Sequence, residues 1–194
     1  MKNHPTLQYI RDEHSALSAV LHSLLAMAER GPKGDEDRFF HVVRAMLYYI
    51  DEFPEKRHHP NESQLLFPLV ARRAPEMAPV IERLERDHAH GERAVRELQH
   101  KLMSWEFMGE TRRQDFCDAL KTYIGHYKDH MHTEEAEIFP AAVQHLTADD
   151  WSRLGARLRD DLDPLAGGTR KPEWDKLLTH IANTAPAPIG LGDE

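Results

Sequence analysis

Apolar residues recur at steps of three and four along most of this chain, with no convincing alternation of apolar and polar positions. The pattern predicts long helices over residues 5–29, 36–71, 76–107 and 112–144, and shorter ones near 148–161 and 172–184. Turn-forming clusters separate them: RGPKGDED (30–37), RRAPE (72–76), MGET (108–111), HLTADD (145–150) and DPLAGGTRKP (163–172). Thr111 and Gln114 read as a capping box opening the fourth helix. The expected fold is all-α: an up-down-up-down four-helix bundle over residues 1–145. Residues 146–194 are expected to form a helical extension packed on the bundle, with a loose tail in APAPIGLGDE.

Each apolar stripe is interrupted by polar residues. The first helix carries Leu7, Ile10, His14, Leu17, Leu21 and Leu24; the third carries Ile81, Leu84, His88, Gly91, Val95, Leu98 and Leu102. On the second, Val43, Leu47, Ile50 and Pro54 lead to His58, Glu62, Leu65 and Leu69. On the fourth, Phe116, Leu120, Tyr123 and Tyr127 lead to His130, Glu134 and Ile138. Positions four apart lie about 40° apart around a helix, so each His-x-x-x-Glu pair shares a face. That face is predicted to be the buried one.

The interruptions repeat. HHPNESQLLFP (58–68) aligns with HMHTEEAEIFP (130–140), matching a histidine, a glutamate, a phenylalanine and a proline. His14 in RDEH and His88 in ERDH stand at similar distances upstream, so the chain reads as two similar helical hairpins. An uncompensated buried carboxylate costs several kcal/mol, against roughly 5–15 kcal/mol of net stability for a domain. Four imidazoles and two carboxylates converging in one core therefore call for a metal. Nitrogen and oxygen donors without thiolate favour iron, manganese or zinc. Two ions bridged by both carboxylates would keep about two positions for exogenous ligands. The candidate ligands are His14, His58, Glu62, His88, His130 and Glu134, with Glu92 and His126 as further candidates. Pro60 lies inside the His58–Glu62 span and removes a helix hydrogen bond, so a kink or bulge is expected there and His59 is a fallback ligand.

Composition narrows the function. A net charge of −8 gives no footprint for nucleic acid, and the single cysteine, Cys117, excludes an internal disulfide or a CxxC site. No apolar run is long enough for a membrane helix and no signal segment is legible, so a cytoplasmic setting is expected. Fourteen histidines are many for this length. Those outside the candidate set read as surface residues, Tyr123 and Tyr127 as core able to hydrogen-bond a pocket ligand, and Cys117 as a small buried residue.

His14, HHPNE with LLFP, RDH at 86–88, and HMHTEE with EIFP together resemble the haemerythrin-like (HHE cation-binding) family. LTADDW and DDLDPLAGG further resemble the C-terminal extension of stand-alone bacterial members. The resemblance implies a four-helix bundle holding a non-haem di-iron centre with oxygen or nitric oxide chemistry. The invertebrate oxygen carriers place a second histidine one turn after the one on the third helix; Glu92 stands there in this chain. That departure argues against plain oxygen transport. The expectation is a di-iron protein that binds or senses a small ligand. The alternatives are a di-iron enzyme of peroxide or nitrosative-stress defence or iron-centre repair, and iron storage. No protein partner is legible.

Overall fold

The computed structural model describes residues 4–159, 163–168 and 172–192. The described residues are helices and turns, without a strand. Helix α1 is Pro5–Arg30, opened by His4, whose ring nitrogen accepts the Thr6 N–H at 3.2 Å. Helix α2 begins as Glu36–Ile50, capped by Asp35. It widens to a π-helical turn at Asp51–His58, tightens at His59–Asn61, widens again at Glu62–Leu66 and ends as Phe67–Arg73. Helix α3 is Ala78–Met108. Helix α4 runs Arg113–Thr133, passes through a π turn at Glu134–Ile138 and closes as Phe139–His145. The extension supplies α5, Ala148–Arg159, and α6, Pro172–Thr184. Residues 160–161 of the predicted fifth helix lie outside the described residues. None of the described helices is long and apolar enough to cross a membrane.

The repeated Phe-Pro has a backbone explanation. The Phe67 N–H bonds the Glu62 carbonyl and the Phe139 N–H bonds that of Glu134, five residues back instead of four. Pro68 and Pro140 follow at once, each without an N–H, where the bonding pattern returns to four. Each motif glutamate therefore opens a π turn, and each Phe-Pro marks its end. The bulge expected at Pro60 takes the form of π turns on both sides of it. They also shift the buried face: Leu66, Phe67 and Val70 are fully covered, while Leu65 and Leu69 of the predicted stripe are only partly so. Each extra residue in a turn rotates everything downstream.

Two apolar clusters form the core. One gathers Leu17–Ala28 of α1, Phe39–Phe53 of α2, Val95–Trp105 of α3 and Phe116–Met131 of α4, and takes Leu178 and Ile181 from α6. The other gathers Leu7, Ile10, Leu66, Phe67, Leu84, Ile138 and Phe139, and takes Leu154 and Leu158 from α5. On every long helix the histidines and glutamates of the stripes fall at the boundary of these clusters, His130 beside Met131 at the edge of the first. The two extension helices thus cover opposite ends of the core.

Two details differ from expectation. Thr111 does not cap α4: a 3₁₀ turn at Glu110–Arg112 precedes that helix, and Gln114 reaches forward to Asp118 at 2.8 Å. A reciprocal cap forms instead before α5, where Thr147 and Asp150 exchange backbone-to-side-chain bonds at 3.1 and 3.2 Å. Arg72 and Arg73 from the end of α2 clamp the same Asp150. The tail is also tied down as far as Gly192. The buried Ser23 hydroxyl donates to the Pro186 carbonyl at 2.9 Å and accepts the Ile189 N–H at 3.1 Å. A serine one step off the apolar stripe gave no sign of this.

Candidate metal centre

All six stripe residues are buried and meet in one place. Glu62 turns one oxygen to His58 Nε2 and the other to His88 Nε2, each at 3.5 Å. Glu134 turns one oxygen to His14 Nε2 at 3.2 Å and the other to His130 Nε2 at 3.3 Å. Two half-sites result, one of His14, His58, Glu62 and Glu134, the other of His88, His130, Glu62 and Glu134, with the donor atoms of each within 4.8 Å of one another. Each carboxylate divides its two oxygens between the halves, and each hairpin contributes to both.

The surroundings repeat the same two-fold logic. The residue before each lone histidine faces the other histidine of its half: Glu13 accepts from His58 Nδ1 at 2.7 Å, and Asp87 lies 3.8 Å from His130 Nδ1. The residue after each glutamate faces the lone histidine of the opposite hairpin: Glu135 accepts from His14 Nδ1 at 2.9 Å, and Ser63 Oγ from His88 Nδ1 at 3.0 Å. The motif phenylalanines cross over too, Phe139 stacking on His14 and Phe67 on His88. Bonds at Nδ1 orient three of these rings with Nε2 facing inward, the arrangement that supports metal-ligating imidazoles.

The inward atoms lack partners. Nε2 of His14, His88 and His130 and all four oxygens of Glu62 and Glu134 are buried without a hydrogen bond among the described residues. One such orphan costs about 1–3 kcal/mol, and a charged one more; seven together fit a cation site. Electrostatics agree. Burial pushes the Glu134 carboxyl up, but His130 and His14 beside it hold it well below the usual range. Burial lowers His58, and Glu62 and Glu13 then raise it to about 10. His14 and His130 are likewise pulled down by burial and raised overall, chiefly by Glu134. Imidazoles held between carboxylates in this way mark a pocket that favours positive charge.

His59 breaks the symmetry, since Met131 occupies its place in the second copy. It is buried and joins His88 and His130 as a third converging imidazole. Its Nδ1 donates to Glu55 at 3.1 Å, while Tyr127, 3.3 Å from Nε2, gives its own proton to Glu55 at 2.5 Å. Burial and the neighbouring His88, His58 and His130 press His59 well below its ordinary value, leaving a neutral ring. The Glu55 carboxylate is also bonded by Tyr123 at 2.8 Å, and burial raises it to about 7. A Cβ at Gly91 would come within 3.0 Å of Glu55 and 3.2 Å of Tyr127, so α3 approaches closely only because a glycine is there. Sequence reasoning missed Glu55. The available signal was Glu55 four residues before His59 in a segment flanked by prolines 54 and 60.

The converging groups include neither Glu92 nor His126. Glu92 is exposed and paired with Arg96; His126 is half-buried, bonds the Asp87 carbonyl at 3.3 Å and packs against His90.

The extension touches the centre through Glu13, whose second oxygen accepts the Asp163 N–H at 3.2 Å. The Asp163 carboxylate in turn takes the Tyr49 hydroxyl and the Leu165 N–H. Burial raises Asp163 from 3.8 to about 6. A carboxyl raised on folding favours the folded state most below its unfolded value, and that contribution is lost as pH rises through about 6. Asp163→Asn, which cannot ionise, is therefore expected to gain stability relative to the parent between pH 4 and 7, by at most roughly 3 kcal/mol. Paired thermal melts across that range would check it; a difference independent of pH would contradict it.

A family model described as the hemerythrin HHE cation-binding domain matches residues 6–142. No curated protein matched the chain.

Proposed function

The chain belongs to the hemerythrin HHE cation-binding domain family, and on that premise we propose that it is a non-haem di-iron protein that binds or senses oxygen, nitric oxide or a similar small ligand. The ion pair would lie between Glu62 and Glu134, within an up-down-up-down four-helix bundle spanning residues 1–145, with 146–194 as its extension. The observation that carries this reading is the division of each carboxylate between two histidine half-sites. One cation would use only half of that arrangement. Bound iron would supply a redox-active pair with room for an exogenous ligand.

The chain's own residues set the asymmetry. His59 gives the His88–His130 half three imidazoles, against two for the His14–His58 half. The less furnished half is therefore where a small ligand would add. Both of its imidazoles are backed directly by carboxylates, Glu135 and Glu13, as His59 is by Glu55 in the other half, and such backing raises the basicity of a ligand. Glu92 stands away from the cluster, so no fifth histidine is supplied from α3 and the supplement comes from α2 instead. A cytoplasmic setting suits a chain with one buried cysteine.

Anaerobic titration with ferrous iron, followed by azide or nitric oxide, tests the proposal. Uptake should saturate at two ions per chain, and each ligand should add a charge-transfer band. One tightly held zinc with no iron uptake under reducing conditions would sink it.

A further inference from the structure

Glu92 lines a pocket of 290 Å³ that runs between α2 and α3 down to the centre. We propose, resting on the cation-pair reading above, that this pocket is the route by which cations reach the site, with Glu92 drawing them in at its mouth. The lining holds the carboxylates of Glu55, Glu85 and Glu92 and the imidazoles of His59 and His88, with neither lysine nor arginine among the described residues. Its groups are graded by depth. Glu85 and Glu92 are exposed, whereas His59 and His88 are buried at 4% and 8% exposure. His88 lines this pocket, and its Nε2 faces Glu62 and has no hydrogen-bond partner among the described residues.

A hydrated cation would thus meet carboxylate oxygens first, then imidazole nitrogen, then the two shared carboxylates. Each stage offers a donor to replace part of the water shell before the site closes round the ion. The mouth is connected to the floor: His88 Nδ1 donates to Ser63 Oγ, which donates to Glu85 at 2.9 Å. The ion pair of Glu92 with Arg96 is exposed and joins residues four apart on one helix. Such pairs are worth little, so the carboxylate can leave Arg96 for an arriving cation. A diatomic gas would gain nothing from this charge, which is why a cation is assigned to the route.

Steering by surface charge raises association rates by about 10- to 1,000-fold and is screened by salt. The test is stopped-flow uptake of Co(II) by the full, metal-free chain at low and high ionic strength. Glu92→Gln should slow uptake several-fold and Glu92→Lys about tenfold at low salt, the rates converging as salt is added. Both variants should still reach two ions at equilibrium. Glu97→Lys is the control, because Glu97 is exposed on the same helix, pairs with Lys101 and makes the same charge change outside the pocket; its rate should match the parent. Unchanged rates in the Glu92 variants, or equal slowing in Glu97→Lys, would overturn the route while leaving the two-ion centre intact. A parent that takes up no Co(II) would overturn the centre and the route together.

Discussion

Glu134→Ala is expected to abolish two-ion loading, while His126→Ala leaves it at the parent level. Glu134 presents one oxygen to His14 and the other to His130, so its loss removes a donor from both half-sites and half of the shared negative charge. It leaves His14 and His130 without the carboxylate that counters the effect of burial on them. Removing an outer partner of a metal ligand typically weakens binding about 10- to 100-fold; removing a shared ligand should exceed that at both positions. His126 bonds a backbone carbonyl outside the cluster, and truncating it removes no converging donor. Metal content after dialysis and Co(II) titration would separate the variants. Equal losses in both would show that α4 delivers its ligands differently.

Stripping the metal should lower the melting temperature by roughly 10–20 °C. Any ion that binds only the folded chain stabilises it by about 2.7 kcal/mol at a hundred times its dissociation constant, so two ions contribute roughly 5 kcal/mol. For a chain of this size one kcal/mol corresponds to about 2–4 °C. The origin is local: seven buried donor atoms otherwise lack partners among the described residues, at the boundary between the two apolar clusters. Calorimetry of the iron-loaded and chelator-treated protein would measure the gap. Glu134→Ala should melt at the same temperature with and without iron, which ties the gain to the centre. A parent insensitive to chelation would refute the cation site as a source of stability.

Much of this was legible in the sequence. Periodicity placed the long helices within a few residues of their ends, and put His14, His58, Glu62, His88, His130 and Glu134 on stripes that proved buried. Those are properties of one helix at a time, fixed by a repeat of about 3.6 residues and by the identity of each side chain. The repeated motif also read as two similar helical hairpins, each with one His-x-x-x-Glu pair. What lay beyond reach depended on departures from that repeat and on partners far along the chain. The π turns of α2 shift the covered face from Leu65 and Leu69 to Leu66 and Val70, and His59 sits beside His58 yet faces the same cluster. Adjacent residues on an ideal helix diverge by about 100°, so periodicity alone could not bring both there; Pro60 was the cue that made His59 a fallback ligand. Glu55 acquired its place only when Tyr123 and Tyr127 from α4 and the open space at Gly91 of α3 closed around it. Asp163 met Glu13 across 150 residues of chain. The sequence alone determined which side chains point inward where the helices are regular; the π turns and the packing of helices against one another decided the rest and which of them share an atom's neighbourhood, because a distance between two helices is encoded in neither one.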